Sequence, residues 1–203
     1  EAQRFDADAL ATMSRVFARE AAITVAEGGL RWVRGAPQSS DSDFSGLESG
    51  LAESGTDLMV TKASARSTVH RPAYLDCVAV RRRDEQGEVI GLWCLIGLFS
   101  SAAYNTPPRQ IPMLRHKVAR VFEGAQVSPQ SHSGRAVANI LDNFPRDVLF
   151  QIGAEELLET TLGVLALQER QRTRLFLLAD PFNRFMTCLV YLPRERYTRE
   201  VRL

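Results

Sequence analysis

Four side chains that could hold an anion lie within ten residues of one another in the stretch "TKASARSTVHRPAYLD", residues 61–76. Lys62, Arg66, His70 and Arg71 are all donors, and an arginine can make a bidentate contact to a carboxylate or phosphate. One hypothesis is therefore a contact site for an anionic ligand or an acidic partner surface. The other interpretation is structural: the charges lie on the polar face of neighbouring strands, with Asp76 as a salt-bridge partner.

Pro72 bears on the structural interpretation, because proline cannot donate to a strand ladder and so ends pairing at a sheet edge. We favour a structural corner whose rim charges serve secondarily as a contact surface. Outside this stretch, Arg115, His116 and Lys117 fall together on a helix. We interpret them as a solvated face.

Composition limits the classes of function. The chain has 203 residues, of which 45% are hydrophobic and 24% charged, and the net charge is +1. Such a balance gives no electrostatic footprint for nucleic acid or for an anionic membrane. No apolar stretch approaches the ~20 residues that cross a bilayer. We expect neither nucleic acid nor membrane among the partners, and we interpret the two ends as boundaries within a longer chain.

Three widely spaced cysteines, Cys77, Cys94 and Cys188, each lie in an apolar, strand-like run. An odd number without a C-x-x-C pair argues against a disulfide framework and against a zinc site. We interpret them as buried free thiols in a reducing, cytoplasmic environment. Dinucleotide, P-loop, nucleophile-elbow and H-E-x-x-H motifs are all missing from the sequence, so no catalytic, cofactor-binding or metal-binding residue is predicted.

Hydrophobic periodicity predicts an α+β fold. Short strand-like runs up to Phe99 predict an antiparallel sheet of five or six strands flanked by helices. "EVIGLWCLIGLF" is apolar at both parities, which indicates a central strand, and we expect Trp93, Leu95 and Val78 to be almost completely buried. Gly87 is expected to supply the positive φ of the preceding turn.

The second half predicts helices followed by a hairpin. Helices are expected after "NTPPRQIP", with Gly124 as a C-terminal cap, over 133–142, and in "GAEELLETTLGVLALQERQR". "FPRDVLFQI" is interpreted as a connector. "TRLFLLADPFNRFMTCLVYLP" predicts a β-hairpin. The predicted domains are 1–124, with a flexible loop at 35–56, a helical linker at 125–171, and the hairpin at 172–203.

Seven stretches, in one order, resemble one family. They are "LMVTKASARSTVHRPAYLD", "DEQGEVIG", "GLFSSAAYN", "IPMLRHKVARV", "PRDVLFQI", "LQERQRTRLF" and "CLVYLPRERY". Together they resemble the N-terminal, non-catalytic region of the very large bacterial NAD-specific glutamate dehydrogenases. Leu92, Trp93 and Cys94 depart from the family, which usually has a charged or polar start to this strand.

The resemblance implies PAS-like and ACT-like modules with helical segments between them. It also implies a catalytic core elsewhere in the subunit that deaminates L-glutamate to 2-oxoglutarate and ammonium with NAD as cofactor. Nothing here matches the family's glycine-rich motif with its catalytic lysine. The implied partners are other domains of the same chain, a homo-oligomer and a small-molecule effector. A free-standing small-molecule sensor domain with a PAS-like fold is the alternative.

Overall fold

The computed structural model describes residues 17–26, 29–34, 57–67, 72–167, 172–180 and 185–198. The chain forms two compact units, residues 1–106 and 107–203. The predicted loop at 35–56 lies outside the described residues. Among the described residues, no helix has both the length and the apolar character needed to cross a bilayer.

Five antiparallel strands form the sheet of the first unit: β1 (Phe17–Ala26), β2 (Gly29–Arg34), β3 (Leu58–Arg66), β4 (Tyr74–Arg83) and β5 (Val89–Phe99). Their order is β2-β1-β5-β4-β3, so β5 is the middle strand and β3 is an edge. The predicted antiparallel sheet and the central place of β5 are thus confirmed. A short helix, α1 (Ser101–Asn105), follows β5.

The turn between β4 and β5 has the chemistry that the sequence predicts. Gly87 has a φ of 89°, a conformation that an L side chain rarely adopts. The carboxylate of Asp84 accepts hydrogen bonds from the backbone N–H groups of Gln86 (3.0 Å) and Glu88 (2.8 Å). These local bonds fix the turn and therefore the register of β4 and β5.

The two faces of this sheet are covered unequally. On one face, Cys77, Cys94 and Ile96 are at most 2% exposed. On the other face Val78 is 1% exposed, as predicted, but its cross-strand partner Leu95 is only partly buried. The prediction of an almost completely buried Leu95 is therefore wrong, because apolar character at both parities does not determine how fully each face is covered. The side chain of Trp93 lies outside those described.

Four helices and a hairpin make up most of the second unit. They are α2 (Pro112–Ala125), α3 (His132–Asp142), α4 (Arg146–Gln151), α5 (Ala154–Leu165), β6 (Arg174–Ala179) and β7 (Met186–Tyr191). The interpretation of "FPRDVLFQI" as a connector is wrong, since most of it forms α4. The sequence-based boundary after residue 124 puts α2 in the first domain, whereas α2 packs on α5 in this unit; the domain limits themselves stay a prediction.

Helix α2 starts as predicted but ends differently. Pro112 occupies the first turn, where its missing N–H costs nothing. The left-handed residue at the end is Gln126, with a φ of 54°, and Gly124 is not the cap. Gly124 instead allows Leu158 of α5 to approach so closely that an added Cβ would collide with it. The glycine therefore serves helix packing.

The C-terminal hairpin is confirmed. Strands β6 and β7 pair antiparallel, with Leu177 opposite Cys188 and Phe176 opposite Leu189. Phe176 packs with Ile140 of α3 and Val164 of α5 in a buried apolar cluster. One face of the hairpin is thus held on the helices that precede it in the chain.

Candidate functional site

Two of the four predicted contact residues, Lys62 and Arg66, are described, and both lie on the edge strand β3. In the register of β3 and β4, Lys62 faces Asp76 and Arg66 faces Tyr74, with an irregularity between the two pairs. Lys62 and Arg66 are only four residues apart in the sequence, but the strand register changes between them. Their surroundings therefore differ.

Lys62 is committed to an ion pair. Its Nζ atom lies 2.5 Å from Oδ1 of Asp76, and the two side chains are 24% and 1% exposed. The other carboxylate oxygen of Asp76 accepts a hydrogen bond of 3.3 Å from the backbone N–H of Phe99. Asp76 therefore links β3, β4 and β5. It is also the salt-bridge partner that the structural interpretation predicted for this cluster.

Arg66 keeps its charge at the surface. Its guanidinium carbon lies 4.7 Å from the centre of the Tyr74 ring, within the range of a cation–π contact. Both side chains are exposed, so the guanidinium edges face solvent beside an aromatic plane. The strands close just beyond, where the N–H of Ser67 donates to the carbonyl of Ala73 at 2.8 Å.

His70 and Arg71 lie outside the described residues. The structure places Lys62 in an ion pair and Arg66 on a tyrosine. An anion contact at this corner stays a prediction, with Arg66 as the described residue whose geometry suits it.

A second charged cluster, which the sequence analysis missed, lies at the opposite end of β3 and β4. Asp57 accepts a hydrogen bond of 2.7 Å from Arg83 and lies 3.7 Å from Arg81. The N–H of Arg81 also donates to the Asp57 carbonyl. The run of three arginines at residues 81–83 is the sequence feature that could have indicated this cluster. Two of them, Arg81 and Arg83, contact Asp57 and so hold the start of β3.

Lys117 on α2 is the most unusual ionisable group described in the second unit. Its ammonium donates to the backbone carbonyls of Leu149 (3.1 Å), Phe150 (2.9 Å) and Ile152 (2.6 Å). These carbonyls lie at the C-terminal end of α4, where helix carbonyls lack partners and the helix dipole favours a cation. An ammonium has three N–H donors, and all three are used.

Burial lowers the pKa of Lys117 from 10.5 to about 8. The interpretation of residues 115–117 as a solvated face is therefore right for Arg115 and His116, which are exposed, and wrong for Lys117. Because its donors are saturated by carbonyls, Lys117 serves as the cap of α4.

The junction between helices and hairpin depends on Gly163 of α5. A Cβ added there would lie 2.8 Å from the Phe176 ring, closer than real side chains approach. Arg174 lies with its guanidinium carbon 4.8 Å from the centre of the same ring and donates to the Gly163 carbonyl at 3.4 Å. Tyr191 meets Phe176 edge to face at 5.8 Å. The hairpin is thus seated closely on α5.

No group of three or more potential metal ligands occurs among the described residues. What the described parts of the second unit define is a helical segment that carries a β-hairpin on one side.

Family models match both parts of that architecture. Residues 111–170 match the model described as glutamate dehydrogenase, helical motif 1, and residues 174–203 match glutamate dehydrogenase, ACT2 domain. The first match covers α2 to α5, and the second covers the hairpin and the residues after it.

Curated relatives carry the same family name. The chain is 43% identical over 142 residues to the NAD-specific glutamate dehydrogenase of Halomonas elongata. It is 43% identical over 146 residues to that of Pseudomonas aeruginosa, and 35% identical over 146 residues to that of Mycobacterium tuberculosis. These alignments cover 70–72% of this chain and 9% of each relative. The resemblance to one part of the NAD-specific glutamate dehydrogenases is therefore confirmed.

Proposed function

We propose that this chain is a non-catalytic regulatory and assembly region of a large NAD-dependent glutamate dehydrogenase. The intact enzyme oxidises L-glutamate to 2-oxoglutarate and ammonium and reduces NAD to NADH. The observation that carries the proposal is the succession of the helical motif 1 and ACT2 matches within residues 111–203. The chain spans only 9% of the relatives named for that activity, which leaves ample length for a catalytic core elsewhere.

The seating of the hairpin on the helices supports a regulatory role. Phe176 fills the space above Gly163, and Arg174 and Tyr191 both contact its ring. A close-packed junction moves as one body. A ligand that favours one position of the hairpin therefore also biases the position of α5, which is the coupling that allosteric control requires.

For the first unit we propose a PAS-like module. The five-stranded antiparallel sheet with a central β5 supports this assignment. We further propose that the corner at Lys62, Arg66, His70 and Arg71 contacts a small acidic effector or an acidic surface of another domain. The exposed guanidinium of Arg66 on Tyr74 supports that choice, because a planar guanidinium suits a carboxylate.

Partners and location follow from the same proposal. Other domains of the same subunit and further copies of it are the proposed partners, and the cytoplasm is the proposed location. Cys77, Cys94 and Cys188 are all free, which suits a reducing compartment. A free-standing sensor domain is not favoured, because the matched models and relatives are parts of glutamate dehydrogenases.

The activity test compares the 203-residue chain with the intact enzyme. Each is mixed with L-glutamate and NAD, and NADH formation is followed by absorbance. We expect turnover by the intact enzyme and none by the chain alone. Turnover by the pure chain would contradict a non-catalytic role.

The regulatory test uses the intact enzyme with Arg66, His70 and Arg71 changed together to alanine. We expect normal turnover at saturating glutamate, and a changed response to glutamate or to added dicarboxylates. The matched control changes Arg120, an exposed arginine on α2, to alanine. An unchanged response in a folded, assembled triple variant would show that the corner is only structural.

A further inference from the structure

The face of the β6–β7 hairpin that points away from the helices is entirely apolar. Cross-strand partners in an antiparallel pair lie on the same face, and three such pairs define it. Leu175 faces Val190, Leu177 faces Cys188, and Ala179 faces Met186. We refer to these six residues as the outer face.

All six residues of the outer face are exposed. Leu175, Leu177, Met186 and Val190 have between 52% and 59% of their surface accessible. No charged or hydroxyl side chain interrupts the face. Transient interfaces are about as apolar as ordinary surface, whereas a face without polar groups is typical of a domain core. The outer face therefore requires a permanent cover.

The helices that precede the hairpin cannot cover the outer face, because they already pack against the inner face. Phe176 and Leu178 of β6 are buried, and Phe176 packs on Ile140 and Val164 of the preceding helices. The helical motif thus fills the inner side. A two-stranded sheet is marginally stable alone and needs further strands or a second layer.

We propose that the outer face is covered by the polypeptide that follows Leu203 in the intact subunit, so that the ACT2 sheet is enclosed between helical motif 1 and its own continuation. The ACT2 match covers the last 30 residues of the chain, from Arg174 to Leu203. The chain spans 9% of the relatives it matches, so most of the length of such a subunit lies outside these residues. The proposal rests on the proposed function in one respect, that this chain is part of a longer subunit.

The test places a photo-crosslinking residue, p-benzoylphenylalanine, at Leu177 in the intact protein. Leu177 lies in the middle pair of the outer face. After irradiation we expect a product that keeps the mass of one subunit under denaturing conditions, with peptide mapping that joins residue 177 to a site beyond Leu203. The control places the same residue at Glu159, exposed on α5, where no crosslink to that segment is expected.

Two results would overturn the proposal. A product of twice the subunit mass means that a second copy covers the face, and no product above the Glu159 control means that nothing does. Glutamate-dependent NADH formation in the same preparation separates this failure from failure of the proposed function. A second readout needs no bulky substitution: Cys188 in the native intact protein should resist alkylation until the protein is unfolded, and ready alkylation of the folded protein would contradict a cover.

Discussion

The Nζ atom of Lys117 lies 2.6 Å from the carbonyl oxygen of Ile152, 35 residues further along the chain. The carbonyls of Leu149, Phe150 and Ile152 together form a set of three acceptors for this ammonium at the end of α4. A single buried ammonium thereby joins α2 to α4.

Replacing Lys117 with methionine should destabilise the chain by about 1–3 kcal/mol at pH 7, since methionine fills similar space but leaves buried carbonyls unpaired. The variant should also lose a pH dependence. The pKa of Lys117 is about 8 in the folded chain and 10.5 in the unfolded one. Between these values the unfolded chain binds more protons, so the wild-type free energy of unfolding gains up to about 3 kcal/mol as pH rises from 8 to 10.5.

Urea unfolding at a series of pH values measures both effects. The matched control is Arg120→Met, on the same helix but exposed, which should change stability by less than about 0.5 kcal/mol. It should also keep the wild-type rise with pH. Parallel curves for wild type and Lys117→Met between pH 8 and 10.5 would contradict the lowered pKa of Lys117, and an unchanged stability of Lys117→Met at pH 7 would contradict its role as the cap of α4.

Lys117 also illustrates what sequence patterns can and cannot predict. Periodicity predicted α2, α3, α5 and the β6–β7 hairpin, because a repeat of apolar residues reflects one buried face. The acceptors of Lys117 are backbone carbonyls 32–35 residues away, and backbone groups leave no signature in a sequence. A lysine that directly follows an arginine and a histidine therefore looked solvated.

The candidate corner at residues 61–76 likewise combines one contact that the sequence predicts with one that it does not. The pairing of Lys62 with Asp76 was predictable, since opposite charges on adjacent strands attract. The stacking of Arg66 on Tyr74 depends on the irregular register between residues 62 and 66, which no residue pattern specifies. The half-burial of Leu95 depends on what covers that face of the sheet, which the apolar run does not encode.

The ion pair between Lys62 and Asp76 is expected to show strong coupling. Lys62→Met leaves a nearly buried carboxylate without its partner, and we expect a loss of about 1–3 kcal/mol, reduced from the fully buried case because Lys62 is 24% exposed. Asp76→Asn keeps an acceptor for the N–H of Phe99. A double-mutant cycle measured by urea unfolding should give a coupling energy near 1 kcal/mol or more. Strictly additive losses would mean that the pair contributes nothing.

Gly163→Ala should loosen the seat of the hairpin. The added methyl would lie 2.8 Å from the Phe176 ring and 3.0 Å from the Arg174 guanidinium, and overpacking of this kind costs about 1–3 kcal/mol. Gly153→Ala is the control, because nothing lies within 4 Å of its Cβ position. Thermal unfolding should show a clearly lower midpoint for the Gly163 variant than for the control. Equal midpoints would mean that the hairpin shifts to accommodate the methyl group with no loss of stability.

The three cysteines should separate by reactivity, which tests both sheets at once. Cys77 and Cys94 are 0% and 1% exposed in the five-stranded sheet, whereas Cys188 is exposed on the outer face of the hairpin. The interpretation of all three as buried thiols is therefore wrong for Cys188. In the folded 203-residue chain, a thiol reagent should modify one cysteine rapidly, and the other two only after denaturation, because access limits the reaction. The Cys188→Ser variant should lose the rapid phase, and a rapid phase that survives this substitution would show that the first sheet is open where the structure has it closed.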